Sequence, residues 1–165
     1  MKKTILYFCS VILVLLTFIF IIITSKENEV TPLTEKSTYQ NVNDIEGVFL
    51  TTKENTYPNN MKEITVEFHN DTNIEYIYGE PFYLEKFENN DWYKVPETPS
   101  EYPKAWTSIG YILSPNSKRE DIIKLEWIYG NHFDGGKYRI VKDVIYSKKP
   151  GGYDTYYLSA EFYIK

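Results

Sequence analysis

The chain has little of what most catalytic sites are built from. Its 165 residues include one cysteine, Cys9, two histidines, His69 and His132, and two alanines, Ala105 and Ala160. Cys9 sits inside an apolar run near the N-terminus, so whatever follows that run forms no disulfide within itself and stands on its core alone. That argues against a secreted eukaryotic domain. Two histidines are too few for a dedicated zinc site, and there is no G-x-S-x-G elbow and no exported thiol. The pairs Gly135-Gly136 and Gly151-Gly152 precede strand-like segments, not the helix that a phosphate cradle needs, and read as turns. Carboxylate pairs suited to glycoside hydrolysis can be chosen at will among 23 acidic residues, and so select nothing. The sequence therefore assigns no catalytic, cofactor-binding or metal-ligating residue, and no enzymatic activity is expected.

What is present favours strands. Sixteen Tyr and nine Phe stand beside the two alanines, and aromatic side chains suit a pleated, half-buried surface, whereas Ala is the best helix former. The length fits one domain with an appendage. The appendage is residues 4–25, "TILYFCSVILVLLTFIFIIITS", which carry no charge and follow Lys2 and Lys3. As a helix this run is roughly 33 Å long, enough to cross a hydrocarbon core of about 30 Å. It is longer than the apolar stretch of a cleavable leader and has no A-x-A site. The expectation is a single-pass anchor over residues 1–25, with the N-terminus held in the cytoplasm by Lys2 and Lys3 and the rest outside; secretion after cleavage near Thr24-Ser25 is the alternative. Cys9 has bulky neighbours and reads as a buried spectator, not a lipidation site.

Residues 26–43, "KENEVTPLTEKSTYQNVN", are polar and without apolar period, and read as a flexible linker. With Lys2 and Lys3 set aside, 16 basic residues face 23 acidic ones, a net charge of −7. Such a domain is repelled by nucleic acid and by anionic head groups.

Residues 44–165 read as the domain. "EITVEFH" (63–69) alternates, with Ile64, Val66 and Phe68 on one side. "GVFLTT" (47–52) precedes it and "TYPNN" (56–60) is the connecting turn. Further strands are expected in the two arms of "PFYLEKFENNDWYKVP" (81–96) and in 105–113, 119–129, 137–146 and 156–164, about seven to eight in all. The spacing of Ile122, Leu125 and Ile128 also suits a short helix, but the neighbouring residues favour a strand. Asn70-Asp71-Thr72 matches the N-glycosylation pattern and reads better as a polar turn.

The hairpin from Pro81 to Pro96 puts Phe82 and Leu84 on one face and Tyr83, Glu85 and Phe87 on the other. Core packing accounts for most of these residues, and a binding surface is the alternative. Asp134-Gly135-Gly136-Lys137-Tyr138-Arg139-Ile140 follows the D-x-G-x-Y-x-C run in which a tyrosine hydroxyl bonds back to the backbone at the corner between two sheets. Ile140 takes the cysteine's place and faces Val66 or Phe68 across the core. Arg139 alternates to the opposite side and is expected to be exposed and tolerant of substitution.

With "ITVEFHNDTN" (64–73), "YGEPFYLEKFENNDWYKVP" (78–96), "YILSPNSKRE" (111–120) and "GGKYRIVKD" (135–143), the chain resembles the bacterial immunoglobulin-like domains of exported or membrane-anchored proteins from Gram-positive bacteria. The resemblance implies an all-β, immunoglobulin-like antiparallel sandwich without catalytic apparatus or a defined ligand. Trp92 departs from antibody-type domains, since it follows the hairpin turn where the core tryptophan would precede it. The function expected is a membrane-anchored extracytoplasmic module for interaction with a protein or cell-envelope component. A small envelope hydrolase is the first alternative. The second is an accessory subunit of a membrane sensor or transporter, contacting it through the anchor helix.

Overall fold

The computed structural model describes residues 33–100, 104–148 and 151–165. The uncharged run at 4–25 lies outside them, and among the described residues no helix is long and apolar enough to cross a membrane. The described chain is all-β apart from one short helix. Its elements are β1 (Val48–Thr52), β2 (Thr56–Tyr57), β3 (Glu63–Asn70), β4 (Tyr76–Tyr78), β5 (Tyr83–Glu88), β6 (Asp91–Lys94), β7 (Tyr111–Leu113), β8 (Ser117–Lys124), α1 (Leu125–Tyr129), β9 (Gly136–Lys148) and β10 (Gly152–Ile164).

Two sheets enclose the core. The smaller runs β1-β3-β8 and is antiparallel throughout. The larger runs β2-β10-β9-β4-β7, and β5 joins it by pairing with β9 while β6 pairs with β5. Both β4 and β5 lie along one flank of the long strand β9, β5 at Lys137–Val141 and β4 at Ile145. Alternation decides what faces inward. Ile64, Val66 and Phe68 of β3 are buried, as are Tyr138, Ile140 and Val144 of β9 and Leu158, Ala160, Phe162 and Ile164 of β10. Phe68 stacks on Tyr78 across the sheets, with ring centroids 4.1 Å apart. The expected apolar substitute for an inter-sheet disulfide is in place, because Ile140, Val66 and Phe68 all lie in this core with no exposure.

Three expectations change in detail. "TYPNN" is more than a turn, since Thr56 and Tyr57 form β2, which pairs parallel with β10 and makes the sandwich not wholly antiparallel. The strand expected over 105–113 is confined to Tyr111–Leu113. The segment read as one strand over 119–129 is a strand to Lys124 and then α1, because Leu125, Ile128 and Tyr129, at helical spacing, are all drawn into the core. The "NN" turn is as the sequence suggests: Asn89 and Asn90 both have positive φ, 50° and 64°, the type I′ pattern that suits a two-residue hairpin.

The tyrosine corner is present. The buried Tyr138 donates its hydroxyl to the Asp134 carbonyl at 2.9 Å, closing the bend that leads into β9. Tyr138→Phe keeps the ring and removes that bond. Urea unfolding of the purified variant should show a loss of about 0.5–1.5 kcal/mol with an unchanged denaturant slope. Wild-type stability in the variant would show that the hydroxyl does not hold the corner.

Candidate recognition face

The outward side of β5 and β9 carries a buried ion pair. Glu85 and Arg139 are register partners on adjacent strands. Arg139 Nε donates to Glu85 Oε2 at 2.7 Å, and Nη2 lies 2.6 Å from the same oxygen. The expectation that Arg139 is exposed is wrong: its side chain is 5% accessible and that of Glu85 0%. Alternation does turn Arg139 away from the core, but a further layer covers it there.

That layer is residues 33–43, the second part of the polar stretch read as a linker. They form a strap across the sheet's outer face. At one side Lys36 makes an isolated bridge with Tyr93, Ser37 N donates to Trp92 O at 2.8 Å, and Lys94 N donates to Glu35 O at 2.8 Å. At the other, Asn43 N donates to Tyr157 O and Ser159 N to Asn43 Oδ1, both at 2.8 Å. Between them Tyr39 sits against Tyr83 and Tyr157, with centroids 5.1 and 4.9 Å away. Arg139 Nη2 donates to Ser37 Oγ and to Tyr39 O, each at 3.2 Å, and its guanidinium lies 4.4 Å from the Trp92 ring centroid. Beside the strap a cleft of about 340 Å³ is lined by Thr34, Glu35, Tyr39, Tyr83, Lys94 and Tyr129 among others.

The two faces of the hairpin differ. Phe82 and Leu84 are core, as expected. Tyr83 and Phe87 on its other face are partly exposed, Trp92 lies half-buried, and Lys137 rests over both Phe87 and Trp92.

A second buried charge was missed. Lys142 points inward in the row of Tyr138, Ile140 and Val144, and donates to the carbonyls of Gly79 at 2.7 Å and Glu80 at 3.2 Å. Its ammonium is 3.8 Å from Asp121 and lies near the Phe68 and Tyr78 rings. Burial lowers its pKa against the pull of Asp121. The signal was available: the alternation of "KYRIVKDVIY" already places Lys142 on the apolar side.

The histidines are not brought together. His132 is exposed, while His69 stacks on Phe49 at 4.3 Å on the outer face of the smaller sheet. Thr51 Oγ1 at 3.2 Å and Glu67 Oε1 at 2.7 Å both meet the same nitrogen of His69, Nε2. A proton relay needs its hydroxyl and its carboxylate on opposite ring nitrogens, so this arrangement does not activate Thr51. Among the described residues no group of three or more His, Cys, Asp or Glu is arranged to hold a metal ion. Asn70 of the glycosylation pattern is fully buried. Its amide donates to the Ile74, Leu113 and Ser114 carbonyls, and its oxygen accepts from Thr72, which is the polar turn expected.

Burial also sets an alkaline limit. It raises the pKa of Tyr39, with Tyr83 adding to the effect, and raises those of Tyr129 and Tyr138; it pushes Tyr78 up to about 12. In the unfolded chain these phenols ionise near 10. The stability they contribute is therefore complete below about pH 10 and is lost as pH rises from there through about 12. Lys142 acts in the opposite sense, adding stability as pH climbs toward 10.5, but it is one group against four. In a spectrophotometric titration the late phenolate absorbance should appear together with loss of the strand signal in circular dichroism. Ionisation of all 16 tyrosines near pH 10 in a still-folded chain would contradict this burial.

The crystal structure of the periplasmic chaperone SfaE is 12% identical, with a TM-score of 0.39, over 70% of this chain and 57% of that one, so the match spans little more than half of that chaperone. The ASH/PapD-like domain 7 of human CEP192 is 13% identical, with a TM-score of 0.33, over 80% of this chain and 98% of that one. No curated protein sequence matches. The family model described as "Bacterial Ig-like domain" matches residues 44–163, most of the chain, and the chain is a member of that family.

Proposed function

We propose that the chain is a non-enzymatic interaction module, held at the cell membrane by residues 1–25 and displayed outside the cytoplasm, where it engages a protein or envelope component. The observation that carries this reading is the outer face of β5, β6, β9 and β10, which joins partly exposed aromatic rings to a buried ion pair. Partly exposed Tyr and Trp are the residue types that anchor interfaces, and a fixed charge pair beneath them gives register. Membership of the bacterial immunoglobulin-like family supports it, as does the uncharged N-terminal run. The net charge of −7 beyond that run makes nucleic acid an unsuitable partner.

The test uses the full chain in intact cells, with a photo-crosslinking residue placed in turn at Tyr83, Tyr163, Ile112 and Ile19. Expected are a membrane-bound product that retains Lys2 and Lys3, and cross-links from Tyr83 and Tyr163. Cross-links from Ile19 alone would replace this reading with that of an accessory subunit working through its anchor. Chiefly soluble protein beginning near Lys26 would make the apolar run a leader.

A further inference from the structure

The strap over the outer face is tied to β10 through Asn43 but has few bonds to β6, and it fits imperfectly. It touches β6 through one isolated bridge, made by two backbone hydrogen bonds. Its ion pairs, Lys36 with Asp91 and Glu35 with Lys94, are solvent-accessible and so contribute little. Underneath, both Arg139 nitrogens that reach Glu85 converge on Oε2, while the wholly buried Oε1 receives no hydrogen bond among the described residues. A buried acceptor without a donor is costly, and most folds avoid one. Ser37 does not supply the donor: its oxygen accepts from Arg139 Nη2 and Tyr39 N, and its hydroxyl makes no hydrogen bond to Oε1.

We propose that this face is an acceptor site for an extended segment of a partner protein, which displaces residues 33–43 and adds along the edge of β6. The inference rests on the interaction-module reading above and names its partner's chemistry. The strap itself shows what the site takes. Pairing with Trp92 O and Lys94 N requires a strand-like backbone. Where Ser37 sits, an Asn or Gln side chain satisfies more of the site, because its carbonyl accepts from Arg139 Nη2 while its amide donates to Glu85 Oε1. Two residues further on, an aromatic ring fills the slot between Tyr83 and Tyr157 now held by Tyr39. A second copy offering its own residues 33–43 would bring the same ill-fitting serine, so a different protein with an amide at that position is the better occupant.

Three fluorescein-labelled peptides test this: residues 33–43, the same with Ser37→Asn, and the latter with Tyr39→Ala. Each is titrated into the purified full chain in detergent and into chains carrying Ser37→Pro, which lacks the N–H that bonds Trp92, or Tyr39→Ala. The Ser37→Asn peptide should bind both altered chains at least about tenfold more tightly than wild type, and more tightly than the native peptide does; the peptide carrying Tyr39→Ala should lose about tenfold. Equal affinity for all three peptides, or no binding to altered chains that keep their strand spectrum and melting transition, overturns the proposal. So does self-association of the wild-type chain that the native peptide disperses best, which would make a second copy the occupant. Failed peptide binding with persisting cross-links in cells removes this site alone, whereas absence of any cross-link removes the module reading.

Discussion

Arg139→Ala should destabilise the folded chain by about 3–5 kcal/mol, because it leaves the carboxylate of Glu85 with no accessible surface and no compensating charge. The size of the effect follows from burial. An exposed pair such as Lys148 with Asp154 is worth little on its own, since water solvates either partner when the other is lost. Here the face is sealed by Ser37, Tyr39 and Trp92, so neither charge has water to fall back on. The ion pair itself is not thereby a large net stabiliser. Removing both charges, as in Glu85→Leu with Arg139→Met, should recover most of the loss and can exceed wild-type stability. Urea unfolding of wild type, Glu85→Leu, Arg139→Met and the double variant forms a double-mutant cycle. A single Arg139→Ala that stays within about 0.5 kcal/mol of wild type would mean that this side chain is solvated and the strap is not closed over it.

Phe68→Ala should cost a similar amount, about 3–5 kcal/mol, for a different reason. Phe68 has no exposure, stacks on Tyr78 and lies beneath the ammonium of Lys142. Deleting the ring removes its transfer free energy and leaves a cavity between two sheets that are each braced by hydrogen-bonded neighbours and collapse only in part. The same hole brings solvent closer to Lys142 and should relieve the lowering of its pKa. A domain of this size has about 5–15 kcal/mol of stability in all, so the variant belongs at low temperature and low urea. Tyr153→Ala serves as the comparison, since Tyr153 is 71% exposed and its loss should register below about 0.5 kcal/mol. If Phe68→Ala behaved like Tyr153→Ala, the contact between β3 and β4 would not be part of the core.

Alternation along β3, β9 and β10, the asparagine turn at Asn89-Asn90 and the tyrosine corner at Tyr138 are local signals, and each was legible because the physics that sets it acts within a few residues. Periodicity also put Glu85 opposite Leu84 and Arg139 opposite Ile140; the same alternation holds Lys142 inward, a placement missed from the sequence alone. The surroundings of those charges were not legible. Arg139 is buried by Ser37 and Tyr39, about 100 residues away in the chain, in a stretch that is polar and without period and has no reason to be ordered until the larger sheet presents a face to it. One repeated pattern shows the limit most directly. Glu75-Tyr76-Ile77-Tyr78-Gly79 is a strand, in which Tyr76 and Tyr78 go to the core and Ile77 pairs with Ile145 of β9 and Ile112 of β7. Glu126-Trp127-Ile128-Tyr129-Gly130 is almost the same sequence, yet it is a helix, in which Ile128 and Tyr129 are buried with Leu125 and the Tyr129 hydroxyl accepts from Leu84 N at 3.1 Å. Neither form is settled within the stretch itself, since a strand bonds only to neighbouring strands and a five-residue helix closes few bonds of its own. The choice falls to tertiary structure, because β9 offers the first a strand edge with open hydrogen-bonding groups, while the second lies where burying three side chains at helical spacing removes more apolar surface from water than an extended chain would.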